Sequence, residues 1–86
     1  MKIVIYGRSN CRFCDLACDW FNQRGIRYEY ITLDNPEEKR KFYESYAHQG
    51  VRAVPQILID GERIGGFTEL IRSQFARDVD QGNVKI

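Results

Sequence analysis

Apolar and polar positions follow one another in two different periods along the chain, one typical of strands and one typical of helices. Short β-branched or alternating runs predict four strands, at residues 2–6, 27–33, 56–59 and 62–64. Helical spacing predicts three helices, at about residues 12–24, 36–48 and 68–82. The order is β-α-β-α-β-β-α, which predicts an α/β fold.

Turn-forming, capping and helix-ending residues between these segments support the predicted boundaries. Gly25 follows the first helix, where a glycine commonly ends a helix, and Asn35-Pro36-Glu37-Glu38 combines a capping residue, a first-turn proline and two acids. Asp60-Gly61 is a dipeptide favoured in two-residue hairpin turns. Thr68 can cap the last helix, on which Ile71, Phe75 and Val79 would share a face.

Connection lengths then define the predicted sheet. A helix joins the first two strands, so they are expected to be parallel neighbours, whereas the hairpin makes the last two antiparallel. We predict one domain over residues 1–86, a four-stranded mixed sheet with helices on both faces.

Charge and hydropathy narrow the possible functions. The net charge is +1, from 13 basic and 12 acidic residues that are mixed along the chain, so no nucleic-acid partner is expected. The apolar run at residues 1–6 is too short for a signal sequence or a membrane span. We therefore expect a cytoplasmic protein without a membrane partner.

Cysteine placement indicates chemistry. All three cysteines lie between residues 11 and 18, too close together to staple distant parts of a secreted fold. Cys11 stands at the start of the predicted first helix and Cys14 in its first turn, and at that spacing the two sulfurs can close a disulfide ring. The helix N-terminus, Arg8 and Arg12 favour a thiolate, so Cys11 is expected to attack a substrate disulfide and Cys14 to resolve the mixed disulfide.

Two other interpretations of the cysteine pair have less support from the sequence. The pair could be half of a zinc site, but a second ligand pair is missing and the single histidine, His48, lies in another predicted helix. It could also be two incidental thiols, although the βαβ context favours redox chemistry. Cys18 is interpreted as a small core residue, and His48 is assigned no role.

Three segments together resemble the signature segments of dithiol glutaredoxins of the small bacterial or phage type. They are Gly7-Arg8-Ser9-Asn10-Cys11-Arg12-Phe13-Cys14, Ala53-Val54-Pro55-Gln56-Ile57 and Gly65-Gly66-Phe67-Thr68-Glu69-Leu70. The resemblance implies a thioredoxin-like fold with Pro55 as a cis-proline facing the cysteines. It also implies glutathione as reducing co-substrate, with no bound cofactor or metal. The implied glutathione-binding residues are Arg8, Phe13, Val54, Pro55, Gly66, Phe67 and Thr68.

The same resemblance implies a monomeric thiol-disulfide oxidoreductase that reduces protein disulfides and glutathione mixed disulfides, ribonucleotide reductase being one possible acceptor. Two alternatives stay open: a redoxin reduced by thioredoxin reductase, and a carrier of a glutathione-ligated iron-sulfur cluster. The chain departs from the family pattern at Arg12, where proline is common, at Phe13 in place of tyrosine, and at Ala53 in place of threonine. Redox potential and substrate preference are the properties that these departures affect.

Overall fold

The computed structural model describes residues 1–46 and 53–84 of the chain. Its strands are β1 (Ile3–Gly7), β2 (Glu29–Thr32), β3 (Gln56–Ile59) and β4 (Glu62–Gly65). Its helices are α1 (Arg12–Gln23), α2 (Pro36–Ser45), α3 (Phe67–Arg72) and α4 (Gln74–Asp80). No helix within these two ranges has both the length and the apolar character that crossing a bilayer requires.

The strands form one mixed sheet in the order β2-β1-β3-β4. β1 runs parallel to β2 and antiparallel to β3, and β3 pairs antiparallel with β4. At the β3–β4 turn, Asp60 and Gly61 both have positive φ, 51° and 84°, which matches the expected two-residue hairpin. The predicted four-stranded sheet is confirmed, although β2 is shorter than the predicted 27–33.

Helices cover both faces of the sheet, as predicted. Successive side chains of β1 point to opposite faces and pack against different helices. Ile3 and Ile5 are buried in the larger core cluster together with Phe21 of α1, Ile57 of β3 and Leu70 of α3. Tyr6 points to the other face, where its ring centroid lies 4.5 Å from that of Phe42 in α2. The sheet is therefore covered by α1, α3 and α4 on one side and by α2 on the other.

The ends of the first two helices agree with their sequence signals. Arg24 caps α1, and Gly25 has a φ of +69°, the left-handed conformation that favours glycine at this position. The Asn35 side chain accepts hydrogen bonds from the backbone N–H groups of Glu37 and Glu38, at 2.9 and 3.2 Å, so the predicted start of α2 is confirmed. His48 and the predicted end of this helix lie outside the described residues.

The prediction of a single final helix was wrong, because Ser73 divides it. Ser73 has extended backbone (φ −75°, ψ 155°); its hydroxyl donates to the Leu70 carbonyl at 2.6 Å and accepts from the Ala76 N–H at 3.0 Å. Because of the break, residues at helical spacing before and after Ser73 no longer share a face. Ile71 is 46% exposed, whereas Phe75 and Val79 pack against the core. The expected shared face therefore does not form, and the chain has four helices in the described ranges rather than three.

Candidate active site

The Cys11–Cys14 pair lies at the N-terminus of α1. Cys11 is the N-cap residue, and its sulfur accepts a hydrogen bond from the backbone N–H of Cys14 at 3.2 Å. The two cysteines are joined as a disulfide with their Cα atoms 5.2 Å apart, so the small ring expected from the spacing is present. The free N–H groups of the first turn and the helix dipole favour negative charge on a sulfur in this place.

The two cysteines differ in exposure. Cys14 is completely buried, whereas Cys11 keeps 7% of its surface exposed. An approaching sulfur therefore reaches Cys11 first. Arg8 and Arg12, the basic neighbours in sequence, are both exposed.

Behind the pair, the Cys14 sulfur lies against the end of β1. A Cβ built on Gly7 would lie 3.0 Å from Cys14 Sγ and 2.7 Å from Cζ of Tyr30, so the close approach of these groups leaves no room for a side chain. The Tyr30 hydroxyl donates to the Arg8 carbonyl at 3.2 Å and so ties the loop after β1 to β2. Sequence reasoning missed Tyr30, whose only signal is its place in an alternating strand.

A second tie holds the same loop. Asp34, just after β2, accepts a short hydrogen bond from the Ser9 hydroxyl and a second one, at 3.0 Å, from the Ser9 N–H. These two hydrogen bonds, with a smaller contribution from the charge of Arg8, hold the pKa of the Asp34 carboxyl below its ordinary value of 3.8. Asp34 was not among the predicted site residues.

The second signature segment contains a cis Val54–Pro55 peptide bond, as the family resemblance implied. Tyr6 of β1 pairs with Gln56 of β3, so Pro55, one residue before Gln56, lies at the same end of the sheet as Gly7. Gln56 is buried. Its side-chain nitrogen donates to the Ala53 carbonyl at 2.8 Å and its oxygen accepts from Arg63 at 3.2 Å, which fixes the loop that contains the cis bond.

The third segment meets the second across β3 and β4. Ile57 pairs with Gly65, and a Cβ on Gly66 would lie 3.4 Å from the Pro55 carbonyl oxygen. Gly66, not Thr68, is the N-cap of α3, so the predicted capping role of Thr68 was wrong and Thr68 lies in the first turn. The Glu69 carboxylate accepts from the Gly66 N–H at 3.1 Å, and the first helical hydrogen bond runs from Leu70 to Gly66. The N–H groups of the intervening first turn have no partner within a helix.

These segments converge on one surface. Six of the seven residues expected to bind glutathione line a single groove of about 170 Å³: Phe13, Val54, Pro55, Gly66, Phe67 and Thr68. The rings of Phe13 and Phe67 are 6.4 Å apart. The seventh residue, Arg8, lines a neighbouring groove of about 880 Å³ with Lys39 and Tyr43, and Val54 borders both grooves.

Cys18 lies away from this surface, next to Tyr28 and Tyr30. It is partly buried and packs against the larger core cluster. Burial raises the pKa of the Cys18 thiol above its ordinary value of 9.0, with the Tyr28 hydrogen bond opposing the shift. A neutral, inward thiol agrees with the interpretation of Cys18 as a packing residue. Within the two described ranges, no group of three or more histidine, cysteine or acidic residues is arranged to hold a metal ion.

A cysteine pair at a helix N-terminus, next to a cis-proline on a four-stranded mixed sheet, defines the thioredoxin-like class of proteins. The glutaredoxin family model matches residues 3–64 of this chain, and the chain therefore belongs to the glutaredoxin family.

Relatives and solved structures agree with this assignment. Glutaredoxin 1 of Escherichia coli is 35% identical over 74 residues, which cover 80% of this chain and 87% of the relative. The mitochondrial glutaredoxin-2 of Rattus norvegicus is 34% identical over 71 residues, 81% of this chain but 45% of the relative, so the chain spans less than half of that protein's length. The crystal structure of glutaredoxin 1 from Francisella tularensis complexed with cacodylate superposes with a TM-score of 0.74 at 35% identity, covering 93% of both chains.

Proposed function

We propose that this protein is a glutathione-dependent thiol-disulfide oxidoreductase that reduces protein disulfides and glutathione mixed disulfides. The observation that carries the proposal is the convergence on one groove of Phe13, which lies between the two disulfide-bonded cysteines, the cis-proline loop and the start of α3. Disulfide exchange needs a thiolate and a surface that aligns the substrate sulfur with it, and this groove can supply the alignment.

The reaction begins with the reduced pair. The Cys11 thiolate attacks one sulfur of the substrate disulfide, a Cys11–substrate S–S bond forms, and the other substrate sulfur leaves as a thiolate that takes a proton from water. With a protein disulfide, the Cys14 thiolate then attacks Cys11, releases the second substrate thiol and leaves the Cys11–Cys14 disulfide. The substrate has gained two electrons and the protein has lost two.

Two glutathiones return these electrons. The first glutathione thiolate attacks Cys11, frees Cys14 and remains bound as a Cys11–glutathione mixed disulfide, and the second attacks that mixed disulfide and leaves as glutathione disulfide. A substrate that already carries glutathione needs Cys11 alone. The buried Cys14 and the more exposed Cys11 suit these unequal roles.

Groove chemistry supports glutathione as the reductant. Glutathione is a short extended peptide with a carboxylate at each end. The Val54 backbone before the cis bond can pair with such a peptide, and the first turn of α3 at Phe67 and Thr68 offers N–H groups to the γ-glutamyl carboxylate. At the other end, Arg8 and Lys39 border the larger groove, which the glycyl carboxylate would enter past Val54.

The decisive assay measures NADPH consumption in the presence of glutathione and glutathione reductase, with the glutathione mixed disulfide of 2-mercaptoethanol as substrate. Cys11→Ser should abolish turnover, whereas Cys14→Ser should retain it and lose only the reduction of protein disulfides. An inactive wild type in this assay that is reduced by NADPH and thioredoxin reductase instead would favour the redoxin alternative.

Partners and location are part of the same proposal. We expect a cytoplasmic monomer whose acceptors are disulfide-containing proteins, with ribonucleotide reductase as one candidate. Ribonucleotide reductase turnover supported by this protein, glutathione and NADPH-coupled glutathione reductase would test that candidate directly. A dimeric mass with a visible absorption band after anaerobic purification would favour the cluster-carrier alternative.

A further inference from the structure

The Tyr30 hydroxyl lies close to the sulfur of Cys14. A Cβ built on Gly7 would contact both the Tyr30 hydroxyl and Cys14 Sγ, the latter at 3.0 Å, so the hydroxyl and the sulfur border one gap about the size of a methyl group. Tyr30 pairs with Ile5 of β1, whose side chain is buried in the larger core cluster, and the Tyr30 ring packs on the same cluster. Tyr30 therefore reaches Cys14 from the sheet, and it is not among the described residues that line the groove proposed for glutathione.

Cys14 belongs to an apolar stripe of α1, and it is completely buried. The other buried residues of this helix are Ala17, Trp20 and Phe21. Both reactions of Cys14 place negative charge on its sulfur: it attacks Cys11 as a thiolate, and it leaves as a thiolate when glutathione opens the disulfide. Because apolar surroundings disfavour a thiolate, a hydrogen-bond donor at this sulfur would assist both reactions.

The Tyr30 hydroxyl keeps its proton and can redirect it. Burial raises the pKa of Tyr30 above its ordinary value of 10.0, and the nearby charges of Cys18, Asp15 and Asp34 add to this shift. The hydroxyl donates to the Arg8 carbonyl at 3.2 Å, a bond that opposes the shift. A hydroxyl hydrogen rotates, and its oxygen can accept one hydrogen bond while it donates another. Arg8 is exposed, so water can take the place of Tyr30 at this carbonyl when the O–H turns toward the sulfur.

Tyr30 also lines a groove of about 280 Å³, which we call the Tyr30 groove, with Asp15, Cys18 and Tyr28 among its other lining residues. Among the described residues, the lining of this groove and that of the groove proposed for glutathione have no member in common. A substrate that occupies the glutathione groove therefore leaves the Tyr30 groove open to water, which can take up or return the proton of the neighbouring thiol.

We propose that the Tyr30 hydroxyl is the hydrogen-bond partner of the Cys14 sulfur in the reduced protein, accepting from the thiol and donating to the thiolate. The proposal rests on the glutathione-dependent activity proposed above and adds a residue that acts in the two steps that involve Cys14. When Cys14 attacks Cys11, its proton passes to water in the Tyr30 groove, the Cys11–Cys14 bond forms, and the substrate sulfur leaves as a thiolate. When glutathione attacks Cys11, the Cys14 sulfur leaves with the electron pair of the broken bond, and the Tyr30 O–H stabilises it until water returns a proton.

The test compares two single-turnover steps in which glutathione attacks Cys11. In the first step glutathione opens the Cys11–Cys14 disulfide, so Cys14 is the leaving group. In the second step glutathione attacks the Cys11–glutathione mixed disulfide of Cys14→Ser, so glutathione is the leaving group. Tyr30→Phe should slow the first step about five-fold and change the second by less than about two-fold, because only Cys14 loses a donor. Alkylation of free thiols followed by mass spectrometry measures both rates.

A pH profile separates hydrogen bonding from packing. The reduced protein is mixed with glutathione disulfide, and the rate at which Cys14 expels glutathione from Cys11 is followed from about pH 6 to 10. In Tyr30→Phe this rate should reach half of its maximum at a higher pH than in wild type, because the thiolate has lost its donor. Ser9→Ala is the matched control: it removes the hydroxyl bond to Asp34, which is the other tie of the same loop, and should keep the wild-type midpoint.

The other outcomes contradict the proposal in different ways. Equal slowing of both glutathione steps by Tyr30→Phe would show that the hydroxyl acts through the loop, and an unchanged first step with an unchanged midpoint would show that it does not act on Cys14. A midpoint that moves equally in Ser9→Ala would refute the role as well. A thermal unfolding curve checks that Tyr30→Phe is folded. If glutathione does not open the wild-type disulfide, the proposed function fails, and the first step with 2-mercaptoethanol as the attacking thiol still tests Tyr30.

Discussion

Gly7 offers a direct test of how the strand end positions the resolving cysteine. In Gly7→Ala the new methyl group would lie 3.0 Å from Cys14 Sγ and 2.7 Å from Tyr30 Cζ, closer than real side chains allow, so both neighbours must move. Such overpacking costs about 1 to 3 kcal/mol, and losing the hydrogen bond between Tyr30 and Arg8 adds about 1 kcal/mol. The reduced entropy of the unfolded chain offsets about 0.4 to 1 kcal/mol.

The expected net loss in the free energy of unfolding is therefore about 1 to 3.5 kcal/mol, or a decrease in Tm of about 4 to 28 °C for a domain of this size. Urea and thermal unfolding measure both quantities. Because Cys14 is displaced and Cys11 is not, reduction of protein disulfides should fall more than removal of glutathione from the small mixed disulfide. Gly66→Ala is the matched control: its Cβ meets Pro55 and Glu69 at ordinary distances of 3.4 and 3.5 Å, so it should cost less than about 1 kcal/mol.

A double variant tests whether the collision with the Tyr30 ring causes the loss of stability in Gly7→Ala. Tyr30→Leu removes the ring that Gly7→Ala collides with, so the two changes together should cost at least about 1 kcal/mol less than the sum of their separate effects. An unfolding free energy of Gly7→Ala within about 0.5 kcal/mol of wild type, together with an unchanged ratio of the two activities, would refute this account of Gly7.

Three further results are expected. Gln56→Leu should destabilise the fold by about 1 to 2 kcal/mol and raise the KM for glutathione, because the Ala53 carbonyl loses its partner; Gln56→Glu, which cannot donate when ionised, should act similarly. Cys18 contributes stability that is complete below its ordinary pKa of 9.0 and is lost as pH rises through its raised pKa, so Cys18→Ala should flatten the alkaline decline in Tm. The pH dependence of the Asp34 contribution is the reverse: its stabilisation is complete above pH 3.8 and is lost as pH falls through its lowered pKa. Ser9→Ala should therefore reduce the decrease in Tm at acid pH, which a series of Tm measurements against pH would show.

Local sequence signals predicted most of the elements and their order. The Asn35-Pro36 helix start, the Asp60-Gly61 hairpin and the position of Cys11 at the start of α1 each depend on residues close in the chain, and each is confirmed. The division of the last helix was missed because Ile71 and Phe75 keep helical spacing across it. Ser73, whose hydroxyl competes for nearby backbone groups, was the available signal.

Residues that act across the sheet could not be predicted in the same way. Tyr30 and Asp34 bond to Arg8 and Ser9, which lie 22 and 25 residues away in a loop whose position depends on strand register. The alternation of a strand predicts which face of the sheet a polar side chain lies on, but it does not predict which loop that side chain will contact. The glutathione-binding residues implied by family resemblance met in one groove, with the exception of Arg8.

The register of β3 decides whether this site exists at all. Pairing of Tyr6 with Gln56 brings Pro55 level with Gly7 and the cysteines, and pairing of Ile57 with Gly65 brings Gly66 to the Pro55 carbonyl. A slip of one residue would turn the buried Ile57 toward the opposite face and separate all three segments. Gly7 has a part in this assembly that a larger residue could not take: without a side chain, the end of β1 can approach the Cys14 sulfur and the Tyr30 ring closely. Assembly of the site therefore depends on this register, and variants that weaken the β1–β3 pairing should lose the proposed glutathione binding, measured as a raised KM for glutathione, before circular dichroism shows a loss of secondary structure.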